Sequence, residues 1–434
     1  MTKQTVLCVL FFSYFIALRA QAPAEEEIVI KTLDSLELPC PNKKMVSHLQ
    51  FSDTAIYFLL RNSATLYTYS LAKKEIVDSL SLLASIPYSP PSNNFYYLSA
   101  CNLLKKEIPV FFKVTPNWVY TENNLGFSLW NRKGKLLGKG FFRAPRKGKA
   151  RYTAEPQASF YSVLLGNSVY KPIVRGRPRY EKRDKKKLPP FHFEKDYYKS
   201  SNYVLARYRL KLDSSARIKE RSQVRFKKHK AQLACQSNFD FVKFSYAHYL
   251  YHTHVAIDEA DGKLLVGFES DPQIIVTDEN GNTLKVLGEK GKHIPKNEEL
   301  NAIPAELIHQ IEKRPFYRNA PENRDLALSL ERLTQFSARY KTLFWDSYQK
   351  YVFRWYEFPT PNPYFQPPFT DGQFIKSYGL QVYDAEGKLT ADLQIKSPFK
   401  FLYANPDATY WALMNKSYEN EDCLKLYRIR LNLE

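Results

Sequence analysis

The chain is poor in signatures. It has no Walker loop, no dinucleotide-binding glycine motif, no HExxH and no GxSxG nucleophile elbow, so nothing in it points to nucleotide hydrolysis, a Rossmann cofactor, a zincin or an α/β-hydrolase. It also lacks CxxC spacing. Of its 5 cysteines, Cys8 lies inside an N-terminal apolar run, and Cys40, Cys101, Cys235 and Cys423 remain, an even set whose spacing fits structural thiols or disulfides better than a metal centre. After that first run no stretch is apolar enough to cross a bilayer as a helix, which takes about 20 residues. Acidic residues are in deficit: 44 Asp and Glu face 64 Lys and Arg, a formal charge of +20.

What is present begins with an export signal. Lys3 supplies the positive start, Val6 to Leu18 the apolar segment, and Ala20-Gln21-Ala22 the small residues of a cleavage site, so residues 1–22 read as a signal peptide. Residues 23–434 are then expected to be exported to the periplasm or cell exterior as a soluble monomer. No cysteine stands at the cleavage point, so no lipid anchor is expected. Aromatic residues make up 15% of the chain, with 31 Tyr and 29 Phe, enough apolar surface to offset chain entropy and a bias toward strands.

One pattern recurs, an alternating strand, a polar turn and a second strand. It reads FSLWNRKGKLL from Phe127, IIVTDENGNTL from Ile274 and LQVYDAEGKLT from Leu380, aligning Asn131, Asp278 and Asp384, with Gly134, Gly281 and Gly387 three residues later. Asx side chains bond their own turn backbone and Gly takes the left-handed position, so these are hairpins. DENGNT lacks the alternating ligands of an EF-hand and is likewise a turn. Weaker copies start at Leu66 and Arg209, and Leu424 to Leu431 supplies a further first strand. A second hairpin precedes most copies: Val110 to Asn123, Tyr340 to Tyr356 and Phe399 to Asn415. Two hairpins make a four-stranded blade, and six copies predict an all-β, six-bladed β-propeller forming one domain. Seven blades stay open, because a basic insertion obscures blade three, whose inner strands are read at Phe160 to Val174.

The last blade runs out of chain one strand short. Glu27 to Leu38 resembles the fourth strand of blade one, Glu75 to Leu82, and has no blade of its own, so it is expected to pair antiparallel with Leu424 to Leu431 and close the ring. That pairing would bring Cys40 near Cys423, a candidate disulfide, two buried thiols being the alternative.

Surplus length falls in the connections between second and third strands and between blades, which share one face of a propeller. Glu298 to Lys313 and Pro321 to Tyr340 read as amphipathic helices, a small helical insertion at about 298–339 between blades four and five. Phe358 to Gly372 reads as an aromatic loop too rich in proline for a strand. From Arg143 to Lys230, the basic insertion, 26 Lys and Arg stand against seven Asp and Glu, nearly the whole charge excess. Its densest part holds Arg175, Arg177, Arg179, Lys182, Arg183, Lys185, Lys186 and Lys187, a field that would gather polyanions: acidic polysaccharide, lipopolysaccharide, anionic membrane surface or an envelope protein. Nucleic acid would need a route to that compartment. A solvated loop with no dedicated partner is the plain alternative.

Arg61, Glu122, Glu269, Asp271, Arg354 and Asn415 are read as ends of second strands near the insertion-bearing rim, where charged groups bind a polar ligand or, more plainly, pair with a neighbouring blade. His248, His252 and His254 share parity on a strand leading to Asp258, and His48 takes a similar place in blade one. No carboxylate completes a metal set at a recognisable spacing, so His252 and His254 are read as channel lining; no cofactor is expected, a metal ion being the alternative they leave open.

At RYKTLFWDSYQKYVFRWY the chain resembles a family of exported six-bladed, NHL-like β-propellers of Bacteroidota, a domain of unknown function that includes many lipoproteins. Tyr340, Asp346, Tyr351 and Arg354 carry the resemblance, with Tyr378 to Lys388 downstream, over roughly the C-terminal 200 residues. It implies fold and compartment and no activity. The sequence thus reads as a non-catalytic binding or scaffold propeller for an acidic glycan or another envelope component, with a polysaccharide hydrolase or lyase as the alternative.

Overall fold

The structure, a computed structural model, describes residues 30–39, 46–60, 64–82, 109, 111–122, 126–141, 146–147, 150–154, 162–166, 168–175, 205–209, 223–225, 255–268, 271–294, 338–361, 374–414, 417 and 423–431. The first strand, β1 (Lys31–Pro39), stands apart in sequence from the blade it joins. Blade one follows as β2 (Val46–Phe51), β3 (Ala55–Leu60), β4 (Thr65–Ser70) and β5 (Glu75–Ser81). Blade two is β6 (Phe111–Val114), β7 (Trp118–Glu122), β8 (Gly126–Asn131) and β9 (Leu136–Phe141). A short hairpin, β10 (Arg146–Lys147) and β11 (Ala150–Ala154), extends the sheet of blade three, β12 (Val163–Leu165), β13 (Ser168–Arg175), β14 (Leu205–Arg209) and β15 (Gln223–Arg225), its second strand pairing with the end of β13. Blade four is β16 (Val255–Ala260), β17 (Lys263–Phe268), β18 (Asp271–Thr277) and β19 (Thr283–Leu287). Blade five is β20 (Arg339–Trp345), β21 (Val352–Pro361), β22 (Phe374–Tyr383) and β23 (Leu389–Ile395). Blade six has β24 (Phe399–Ala404), β25 (Tyr410–Met414) and β26 (Cys423–Arg430), with β1 as its outermost strand.

The chain is a six-bladed β-propeller, closed as the hairpin arithmetic requires. β1 pairs antiparallel with β26 from Lys31 opposite Arg430 to Pro39 opposite Cys423. Cys423 is buried; Cys40 lies outside the described residues. Turn chemistry fixes the outer hairpins. Asn131 Oδ1 accepts from the amides of Lys133 (3.0 Å) and Lys135 (2.8 Å), and Asp278 Oδ1 from those of Asn280 and Asn282 (both 2.8 Å). Gly134, Gly281 and Gly387 sit at φ 79°, 81° and 79°, where a Cβ is strained.

Each blade carries apolar residues on both faces, and the core is therefore a ring of clusters between blades. Phe353, Trp355 and Leu380 of blade five meet Phe401, Tyr410 and Ile429 of blade six. Leu38, Leu424 and Leu426 of blade six meet Leu49, Ile56 and Phe58 of blade one. Aromatics fill the wedges edge to face, as with Trp355 and Phe399 at 4.4 Å and 88°. Between blades three and four the described ties are polar: Tyr170 Oη donates to the Glu279 carbonyl at 2.7 Å, and buried Arg207 reaches Asn280 Oδ1 and Glu279 Oε2, both at 3.0 Å. Arg207 and Lys171 belong to the basic segment yet are buried in the ring.

Three sequence readings need correction. The outer hairpin of blade three begins at Leu205 and returns at Gln223, not within Arg209 to Lys219. Second, the strand β21 runs through Phe358, Pro359, Thr360 and Pro361, where a loop was expected. It has outrun β20 there and keeps a ladder on one side only, the setting in which a sheet tolerates proline. Third, Arg339 and Tyr340 open strand β20 instead of ending a helix. The helical segments before residue 338 lie outside the described residues.

Candidate functional site

The innermost strands of all six blades, β2, β6, β12, β16, β20 and β24, surround a central channel of about 700 Å³. In a four-stranded blade the inner edge of the first strand has no ladder partner, so its amides and carbonyls face the channel or are met by a neighbour's side chain. Gln50 of β2 does this for blade two, donating Nε2–H to the Val114 carbonyl (2.9 Å) and accepting from the Val114 amide (2.6 Å). Asp258 of β16 does it for blade five, its Oδ2 accepting from the Trp345 amide at 3.0 Å while Oδ1 accepts from the Glu259 amide at 2.8 Å.

Charge in the channel is uneven. Lys113, Arg339, Lys341 and Lys400 line it, against Asp258 and Glu259, with His48 beside them. Lys341 is partly engaged by Glu357 at 3.1 Å. His48 packs on Phe111 and Phe112 with ring centroids 4.6 and 5.2 Å away. Burial, then the nearby charges of Lys400 and Lys113, hold its imidazole well below the usual histidine range, so it is neutral. Burial alone lowers the Lys400 ammonium. Burial pushes the Asp258 carboxyl up to about 6, opposed by its two amide donors and by Lys113.

The expected rim residues divide. Arg61, Glu269, Asn415, His252 and His254 lie outside the described residues, as do Arg177, Arg179, Lys182, Arg183, Lys185, Lys186 and Lys187. Arg175 is the last residue of β13, so the basic run begins where blade three passes from its second strand to its third. Asp271 opens β18 instead of closing β17. Glu122 does end β7, and it is buried in an ion pair with Lys171 of blade three, with Tyr120 Oη donating to it at 3.2 Å. Burial raises its carboxyl and Lys171 opposes the rise.

Arg354 is the third residue of β21, well short of its end. It is fully buried, donates to the carbonyls of Pro272 (2.6 Å) and Gln273 (2.7 Å), and lies 4.7 Å from the ring centroid of Tyr340. Asp346, also fully buried, accepts from the amides of Tyr348 (2.9 Å) and Gln349 (3.0 Å) and from Tyr410 Oη of blade six (2.9 Å). The residues that carry the family resemblance are thus turn and blade fasteners, which explains why that resemblance speaks of fold.

Lys113, Lys400, Gln50 and Arg339 were not singled out in the sequence, although FFKV and FKFLYA each set one lysine into an apolar first strand. That signal was legible; what it meant depended on the ring. Among the described residues no helix is long and apolar enough to cross a membrane, and no three His, Cys, Asp or Glu side chains are grouped to hold a metal ion.

No protein-family profile matches the chain, and no curated protein matches it in sequence. Among solved structures, a member of the DUF4221 family from Bacteroides vulgatus is similar at a TM-score of 0.54 and 12% identity, over 94% of this chain and 99% of that one. The likeness is one of fold. It agrees with the Bacteroidota propeller family that the sequence resembles. A protein from Bacteroides fragilis described as exported aligns over 95% of this chain and 97% of its own, at a TM-score of 0.41 and 11% identity.

Proposed function

We propose that this chain is an exported binding propeller that recognises an acidic glycan or another anionic component of the cell envelope. One observation carries the choice of binding over catalysis: at three blade boundaries buried charges are committed to joining blades. Glu122 with Lys171, Arg207 with Glu279, and Arg354 with two carbonyls of blade four each cross a blade boundary. A group held in such a tie is poorly placed to donate a proton or attack a substrate. The cationic balance of the channel and the basic run that starts at Arg175 support an anionic ligand.

The test is retention on immobilised heparin or polygalacturonate at moderate salt. Replacing the eight basic residues between Arg175 and Lys187 with Gln is expected to abolish retention; unchanged retention would remove the basic run from the function. Asp258, a channel carboxyl pushed up to about 6, favours a second reading as a polysaccharide hydrolase or lyase. New reducing ends or unsaturated products from polygalacturonate, lost in Asp258→Asn, would replace the first reading with the second.

A further inference from the structure

The channel has a chemical polarity that the surface charge does not explain. Its volume of about 700 Å³ suits a small molecule or the end of a chain, since such sites span about 300–1,000 Å³. It combines cations, aromatic rings and a few hydrogen-bonding side chains. Lys113 of blade two and Lys400 of blade six lie on the blades flanking blade one, which presents His48. Trp345, Trp355 and Tyr403 supply rings to the same space. This mixture matches a saccharide that bears a carboxylate. The apolar face of a pyranose packs on aromatic rings, its hydroxyls bond to groups such as Glu259, and its anion needs a positive seat.

We infer that the channel seats the terminal residue of an acidic saccharide, its carboxylate held between Lys113 and Lys400 beside His48. The inference rests on the reading of the chain as an acidic-glycan propeller and adds where the ligand enters and which part of it is read. Lys113 and Lys400 both act on the His48 imidazole from the two flanking blades, so the two cations and the ring share one region of the channel. A neutral His48 still contributes a ring N–H or a lone pair to the same ligand. The ligand would be read at its end, with the basic run of blade three gathering the rest of the polymer outside.

Trp345 and Trp355 line the channel, so intrinsic fluorescence reports its occupation. The full-length protein would be titrated with D-galacturonate, with D-galactose and with inorganic phosphate. Saturable binding of galacturonate, at least tenfold weaker in Lys113→Gln/Lys400→Gln and absent for galactose, is the expected result. No saturable galacturonate binding to the wild type, equal binding to the double variant, or phosphate competing as well as the uronate each overturns the inference. Should the double variant not fold, Lys113→Gln alone carries the comparison, with a weakening of at least threefold expected and no change overturning the inference. Retention on heparin separates the two readings. A protein retained there through Arg175 to Lys187 but blind to galacturonate loses the channel seat alone, whereas loss of retention in the basic-run variant with channel binding intact upholds the seat without help from that run.

Discussion

Nη1 of Arg354 lies 2.6 Å from the carbonyl oxygen of Pro272, so one side chain of blade five holds the start of β18, the third strand of blade four. The same nitrogen reaches the Gln273 carbonyl, and the guanidinium plane faces Tyr340. Removing it leaves two carbonyls without their donor and a gap against Gly267, above which Nη2 stands 3.1 Å from where a Cβ would be. Arg354→Met is expected to cost about 2 to 4 kcal/mol in urea unfolding. Lysine, a single point charge without the planar fork, should recover less than half. A loss below about 0.5 kcal/mol, the range of ordinary surface changes, would show that β18 holds its place without this clamp.

Gly379 makes room for a buried ring. A Cβ at that position would lie 2.1 Å from Cζ of Tyr356, whose hydroxyl donates to Asp392 Oδ1 at 2.6 Å. Gly379→Ala must displace the ring or break that bond. A destabilisation of about 2 kcal/mol or more is expected by thermal or chemical unfolding, the upper part of the range for overpacked cores. Pairing it with Tyr356→Phe should give a smaller total than the sum of the two single changes, because both act on one contact.

Closure of the ring depends on the pairing of β1 with β26, and Leu38 is the β1 side chain buried most deeply in it. Leu38→Ala is expected to cost about 2 to 5 kcal/mol in one cooperative transition. Pro39 stands opposite Cys423, the last pair of the ladder. Peptide mapping under non-reducing conditions decides between the two readings of Cys40 and Cys423: a joined peptide would be a latch contributing about 2 to 5 kcal/mol. Recovery of both as thiols would leave closure to the ladder and Leu38.

The Asp258 carboxyl titrates at about 6 in the fold against an ordinary 3.8, with burial as the main cause. Between those values the folded protein keeps a proton that the unfolded chain has lost. Stability therefore falls as pH rises through that window, by about 3 kcal/mol in all. Asp258→Asn keeps an acceptor for the Trp345 amide and removes the titration, so the stability difference between variant and wild type should grow in the variant's favour from pH 4 to pH 7. His48, lowered by burial, acts with the opposite sign in both proteins and cancels from that difference. A difference independent of pH would mean that Asp258 stays ionised throughout.

The residues legible in the sequence were those whose cause is local. Asx and Gly at fixed offsets specify a hairpin wherever they occur, as the contacts of Asn131 and Asp278 show, and the orphan strand before Cys40 could be matched to the blade that lacked one. The inner strands of blade three fall where they were read, β12 and β13 on the segment from Phe160 to Val174, whereas its outer hairpin was misplaced, because β15 spans only 3 residues and its periodicity is too short to register. Proline misled in the other direction at Pro359 and Pro361, since composition alone does not say which edge of a strand is open.

Sequence alone determined the hairpin repeat, the strand left over for closure and the sign of the charge, because turn chemistry, alternation and composition act between near neighbours. Which charges meet in the channel was decided only in three dimensions. Glu122 and Arg354 looked like rim groups and became fasteners between blades, while Lys113 and Lys400, 287 positions apart in sequence, line one cavity. The physical reason is that a ring of blades puts every first strand on a common axis, so the neighbours of a channel residue come from five other parts of the chain.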